Sequence, residues 1–134
     1  KFSNLTNYFC NIGLADSLSI AGDQTNGVYF KGGNAINSGN WQSVTSNAST
    51  TTTGNSSTAV TSDWTVGQII LNAAGTSVSF YIGTTLANLT QLANSPIATN
   101  IPTAAIRPLF SYSNGAATAT IDLFTMNYPL TTIR

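Results

Sequence analysis

At 134 residues, with 42% apolar and 10% aromatic residues, the chain has the length of one domain and enough material for a core. Only 6% of its residues are charged and the formal net charge is zero, whereas about 25% is usual for a globular protein. That balance excludes charge-driven disorder and the basic face that nucleic-acid binding requires, and no apolar run approaches the ~20 residues of a membrane-spanning helix.

No window sustains a helical period, and the chain has no glutamate. Short apolar runs bounded by Gly, Asn, Ser and Pro recur instead, which predicts an all-β sandwich or barrel. The first strand is expected at NYFCNIG. Its Cys10 is the single cysteine and reads as a small apolar strand residue, since no histidine is present to activate a thiol. In GDQTNGVYFKGGN a turn over residues 23–27 leads into a strand over 28–31. NWQSVTS follows, led by Trp41.

The run TSNASTTTTGNSSTAVTSDW, from Thr45 to Trp64, has the composition of a flexible linker but threonines that suit a pleated strand. A turn signal at Gly54-Asn55, with threonines on both sides, predicts two short polar strands and hence one domain over 1–134. VGQIILN and SVSFYIG, joined by NAAGT, predict an antiparallel hairpin. Val78, Phe80 and Ile82 share one face of its second strand, and Ser77, Ser79 and Tyr81 the other. Pro96, Pro102 and Pro108 each remove a ladder donor and predict an extended path up to a strand over 109–112. A turn at Asn114-Gly115 and a last long strand close the chain, with Asp122 partly buried in it and paired with Arg107.

The residue types limit the chemistry. Glycoside hydrolysis ordinarily uses two carboxylates, about 5–5.5 Å or about 6.5–9.5 Å apart. The four acidic residues, Asp16, Asp23, Asp63 and Asp122, are scattered; the first three read as turn or surface groups and Asp122 as a structural group within its strand. Without histidine, base-assisted serine chemistry and zinc sites lack their usual residues. A calcium site from Asp23, Asn26 and backbone carbonyls is the one metal alternative to the turn reading; no metal and no cofactor are expected. Aromatics beside amides remain as candidates for a sugar platform. Tyr29, Trp41 and Tyr81 oppose the apolar parity of their strands and are the candidate carbohydrate-binding residues. The competing reading places Trp41 and Trp64 in the core as the two largest apolar side chains.

The order of pieces GLADS, NGVYF, GNW, a Thr-rich hairpin, DWTVGQIILNAAGTSVSFYI, the Ile101-Pro102 turn and ATIDLF resembles the concanavalin A-like jelly-roll modules of bacteriophage and other viral surface proteins, from Tyr8 to Met126. The resemblance implies an antiparallel jelly-roll sandwich and a non-catalytic structural or adhesive module on the virion exterior: tail fibre, spike or capsid decoration. Other virion proteins, copies of itself in a homo-oligomer, and host glycans are the implied partners. The alternative is a secreted carbohydrate-binding module, or a fragment of a polysaccharide-degrading enzyme. Two departures stand out. Only seven residues precede Tyr8, so family strands that pair with the last one are expected from elsewhere or not at all. Hydrolases of this fold use a glutamate pair, which this chain lacks.

Overall fold

The computed structural model describes residues 1–19 and 22–115. They form an all-β, antiparallel sandwich of two sheets. The strands are β1 (Tyr8–Ala15), β2 (Gly27–Gly33), β3 (Asn40–Asn47), β4 (Thr50–Ala59), β5 (Val66–Leu71), β6 (Val78–Gly83), β7 (Thr90–Gln91) and β8 (Arg107–Asn114). Single 3-10 turns at Asn37–Gly39 and Leu86–Asn88 are the only helical pieces among the described residues. One sheet has five strands in the order β4-β3-β2-β1-β8, the other three in the order β5-β6-β7.

The period-two pattern builds the core between the sheets. Tyr8 and Cys10 of β1, Val28 and Phe30 of β2, and Trp41 of β3 face Val78, Phe80 and Ile82 of β6, with Phe2, Val60, Leu92 and Ile97 closing the sides. Phe30 meets Phe80 edge-on at 5.4 Å and Trp41 at 6.1 Å between ring centroids, the geometry that ring quadrupoles favour. Gly67 lets β5 close over this cluster, because a Cβ there would lie 2.9 Å from the Phe30 ring. Cys10 is buried, as expected, and burial pushes its thiol up to about 12, which leaves it protonated and unreactive at neutral pH.

The β5–β6 hairpin forms where expected. Leu71 pairs with Val78, and Asn72 accepts from the amides of Thr76 and Ser77 at 2.7 and 3.0 Å while Gly75 takes a φ of 69°. This is the ordinary work of Asn and Gly in a tight loop.

The Thr-rich run departs from expectation. It holds one continuous strand, β4, rather than two joined at Gly54-Asn55, and the chain reverses earlier at Ala48-Ser49. Both turn residues have positive φ, 48° and 67°, as two-residue hairpin turns require. The reason is tertiary: the Asn26 side chain accepts from the Ala48 amide at 2.9 Å and the Thr25 carbonyl from the Ser49 amide at 2.8 Å. Gly54 serves close packing instead, since a Cβ would lie 2.5 Å from Ser43 Oγ and 2.8 Å from the Asn94 carbonyl oxygen. The loop over residues 94–100 covers this polar end of the core, with Thr45 Oγ1 donating to Thr99 O at 2.8 Å and Asn94 Nδ2 to Asn55 O at 2.7 Å. Gly54→Val is therefore expected to cost about 1–3 kcal/mol through overpacking, read as a lower urea midpoint. An exposed turn glycine with no close neighbours would show almost no loss.

Pro108 lies within β8, opposite Leu14; among the described residues β8 is an edge strand, where a missing amide is tolerated. The last expected strand and its Asp122 lie outside the described residues.

Candidate functional site

The side chains proposed from sequence for sugar binding are not brought together. Tyr29 points away from the main core as its parity requires, yet it is fully buried. Asp23 and Gln24 meet Tyr29 at that face of the sheet, where it packs with Ala15, Val44 and Leu109. Its hydroxyl donates to Asp23 Oδ1 at 2.9 Å and accepts from the Gln24 amide at 3.2 Å. Burial pushes this phenol well above its ordinary range, despite the Gln24 bond. Trp41 is 2% exposed and belongs to the main core. Neither ring face is open as a platform, which corrects the expectation for both. Tyr81 is half-buried on the outer face of the three-stranded sheet, directly between Gln68 of β5 and Gln91 of β7. It alone has the aromatic-beside-amide setting expected of it.

Asp16 and Asp23 act as turn fasteners. Asp23 Oδ1 takes bonds from Tyr29 and from Lys31 Nζ at 2.8 Å. Asn26 is engaged elsewhere, donating from Nδ2 to Asp16 Oδ2 at 2.7 Å. Asp23 and Asn26 thus serve different partners instead of converging on one cation. Among the described residues, no three of His, Cys, Asp and Glu gather as metal ligands would.

The Asn26 side chain and backbone amide both donate to Asp16, and these bonds hold its carboxyl below its ordinary value of 3.8. A depressed carboxylate contributes stability above its unfolded pKa, and that contribution fades as pH falls through the folded value. Stability is accordingly expected to decline on acidification below about pH 4. In Asp16→Ala, urea titrations should show a shallower acid decline; an unchanged slope would contradict the assignment. Arg107 also anchors this corner, its Nη2 donating to the Asp16 carbonyl at 2.9 Å.

Of the two tryptophans that the size argument placed in the core, Trp64 is the one left outside. Trp64 is 45% exposed. It lies in the link between β4 and β5, where Val60, at 7%, takes the core position instead. Beside it a groove of about 400 Å³ opens where the end of β4 meets the ends of β6 and β7. Trp41 and Ile82 contribute its apolar lining, and Thr58, Thr61, Thr84 and Thr90 contribute hydroxyls. One wall is held firmly: Asn88 Oδ1 accepts from the amides of Thr84 and Thr85 at 3.0 and 2.7 Å, and Asn88 Nδ2 donates to Thr84 Oγ1 at 2.8 Å. Gly83 permits this closure, because a Cβ there would lie 2.6 Å from the Asn88 carbonyl oxygen. The sequence signal for the groove was present, a Trp in a Ser/Thr-rich link, but parity arguments do not reach outside strands.

Fold and groove together define an antiparallel β-sandwich domain with an aromatic-edged surface groove that carries no charged side chain among the described residues. The chain belongs to the family described as SO2946-like, C-terminal domain, whose sequence model matches residues 2–127. No curated protein and no solved structure matches it.

Proposed function

We propose that this domain is a non-catalytic structural and adhesive module on the exterior of a virus particle, a bacteriophage in the first place, as part of a tail fibre, spike or capsid decoration. The observation that carries the reading is β4. It is ten residues long, built only of Thr, Ser, Asn, Gly and Ala, and most of its side chains are exposed or half-buried. Among the described residues it is an edge of the five-stranded sheet. Such an edge presents backbone groups for pairing with another chain. Its hydroxyls and amides can be covered without the desolvation cost of burying charge. The scarcity of charge along the whole chain supports the same reading, as does the resemblance to phage surface modules.

Immunogold labelling of purified virus particles from the source of the chain, with antibody raised to this domain, tests the placement. Label on the particle exterior is expected, and particles that lack the protein would refute it. Sedimentation of the domain at high concentration tests partnering with copies of itself, which a strictly monomeric species would count against. The second reading, a secreted carbohydrate-binding module, is favoured by one observation, the groove beside Trp64.

A further inference from the structure

Trp64 is 45% exposed at a groove whose lining also includes the core residues Trp41 and Ile82 and whose polar side chains are threonines and Asn88. We infer that this groove binds a neutral pyranose sugar, the Trp64 indole covering the C–H face of the ring while Thr58, Thr61, Thr84 and Thr90 exchange hydrogen bonds with its hydroxyls. The inference gives a ligand class to the adhesive part of the function proposed above and rests on it only to that extent.

Three features carry it. A volume of about 400 Å³ falls in the range of small-ligand sites, ~300–1,000 Å³, which combine apolar walls with a few placed polar groups. Among the described residues, no ionisable side chain lines the groove; Asp63 precedes Trp64 but is not among the lining residues. Among the described residues a carboxylated sugar would find no cation there, whereas a neutral one meets groups that both donate and accept. Finally, the wall is ordered in advance by the Asn88 bonds to residues 84 and 85, which reduces the entropy lost on binding. The Tyr81 stripe offers no such concavity: its partners Gln68 and Gln91 stand beside it along a sheet face.

The test is saturation-transfer NMR and calorimetry of the domain with methyl glucoside, methyl galactoside, methyl mannoside and N-acetylglucosamine, with N-acetylneuraminic acid as the charged counterpart. At least one neutral sugar is expected to bind. Trp64→Ala should weaken that binding about tenfold, the factor an aromatic partner supplies, while Trp64→Phe retains part of it and Tyr81→Ala leaves it unchanged. Trp64 is exposed, so Trp64→Ala is expected to remain folded, which its thermal melt confirms or denies before binding is read. Failure of every neutral sugar, tighter binding of N-acetylneuraminic acid, or loss with Tyr81→Ala rather than Trp64→Ala would each overturn the inference. A protein found on virions that binds no sugar would sink this inference alone. Sugar binding by a protein absent from virions would sink only the virion reading.

Discussion

Phe80→Ala is expected to lower the unfolding free energy by about 3–5 kcal/mol, enough to leave a domain of ordinary stability, ~5–15 kcal/mol, only marginally folded. Phe80 is fully buried and sits at the middle of β6, with its ring edge-on to Phe30 across the sheet interface. Truncation removes apolar burial from both sheets at once and opens a cavity that two hydrogen-bonded sheets cannot collapse to fill. Its neighbour Tyr81 points the other way and is half-buried, so Tyr81→Ala should cost much less. Urea unfolding followed by tryptophan fluorescence measures both. A Phe80→Ala loss below about 1 kcal/mol would contradict the placement of the core.

The two tryptophans should separate just as sharply. Trp41 is 2% exposed and packs near Phe2 and Phe30 at centroid distances of 6.5 and 6.1 Å. Trp41→Ala is expected to cost about 3–5 kcal/mol. Trp64 stands 45% exposed on the link before β5, and Trp64→Ala should change stability by about 1 kcal/mol or less. Equal losses at the two positions would refute the assignment of one to the core and the other to the groove. Fluorescence adds an independent check: in the native protein a water-soluble quencher should reach Trp64 and not Trp41.

These contrasts also locate what could be read in advance. The β5–β6 hairpin was legible because every signal for it is local: alternation in SVSFYIG, a Gly-containing loop, and a second apolar run of matching length. The structure keeps Val78, Phe80 and Ile82 on the buried face as that alternation requires. Cys10 was legible for the same reason. The Thr-rich run was legible as strand but not in its turn. Gly54-Asn55 carries the stronger local signal, yet the chain reverses at Ala48-Ser49 because residues 25 and 26 supply hydrogen bonds there. Gly54 is instead a packing glycine, answering to Ser43 and Asn94, partners that lie far off in sequence.

The candidate site was less legible, for a related reason. Parity along a strand states which side a residue faces, not whether that side is covered. Tyr29 does face away from the main core, but it is fully buried there and fastened through Asp23 and Gln24. Trp41 leads β3 with a polar parity, Ser43 and Thr45 following; all three face inward, because the far end of the core is closed by a polar loop. A buried serine or threonine with its hydroxyl satisfied costs little, so polar parity did not mark the outside.

By itself, then, the sequence determined the strand class, the main hairpin, the inward face of β6 and the poverty of charge, because these follow from residue type and the two-residue repeat of a pleated chain. Only the tertiary structure decided where the Thr-rich hairpin turns, which aromatic rings are covered and which tryptophan borders a groove. Those outcomes depend on contacts between segments tens of residues apart. The hydrogen bonds and steric gaps that select among locally equivalent choices exist only once both sheets have closed.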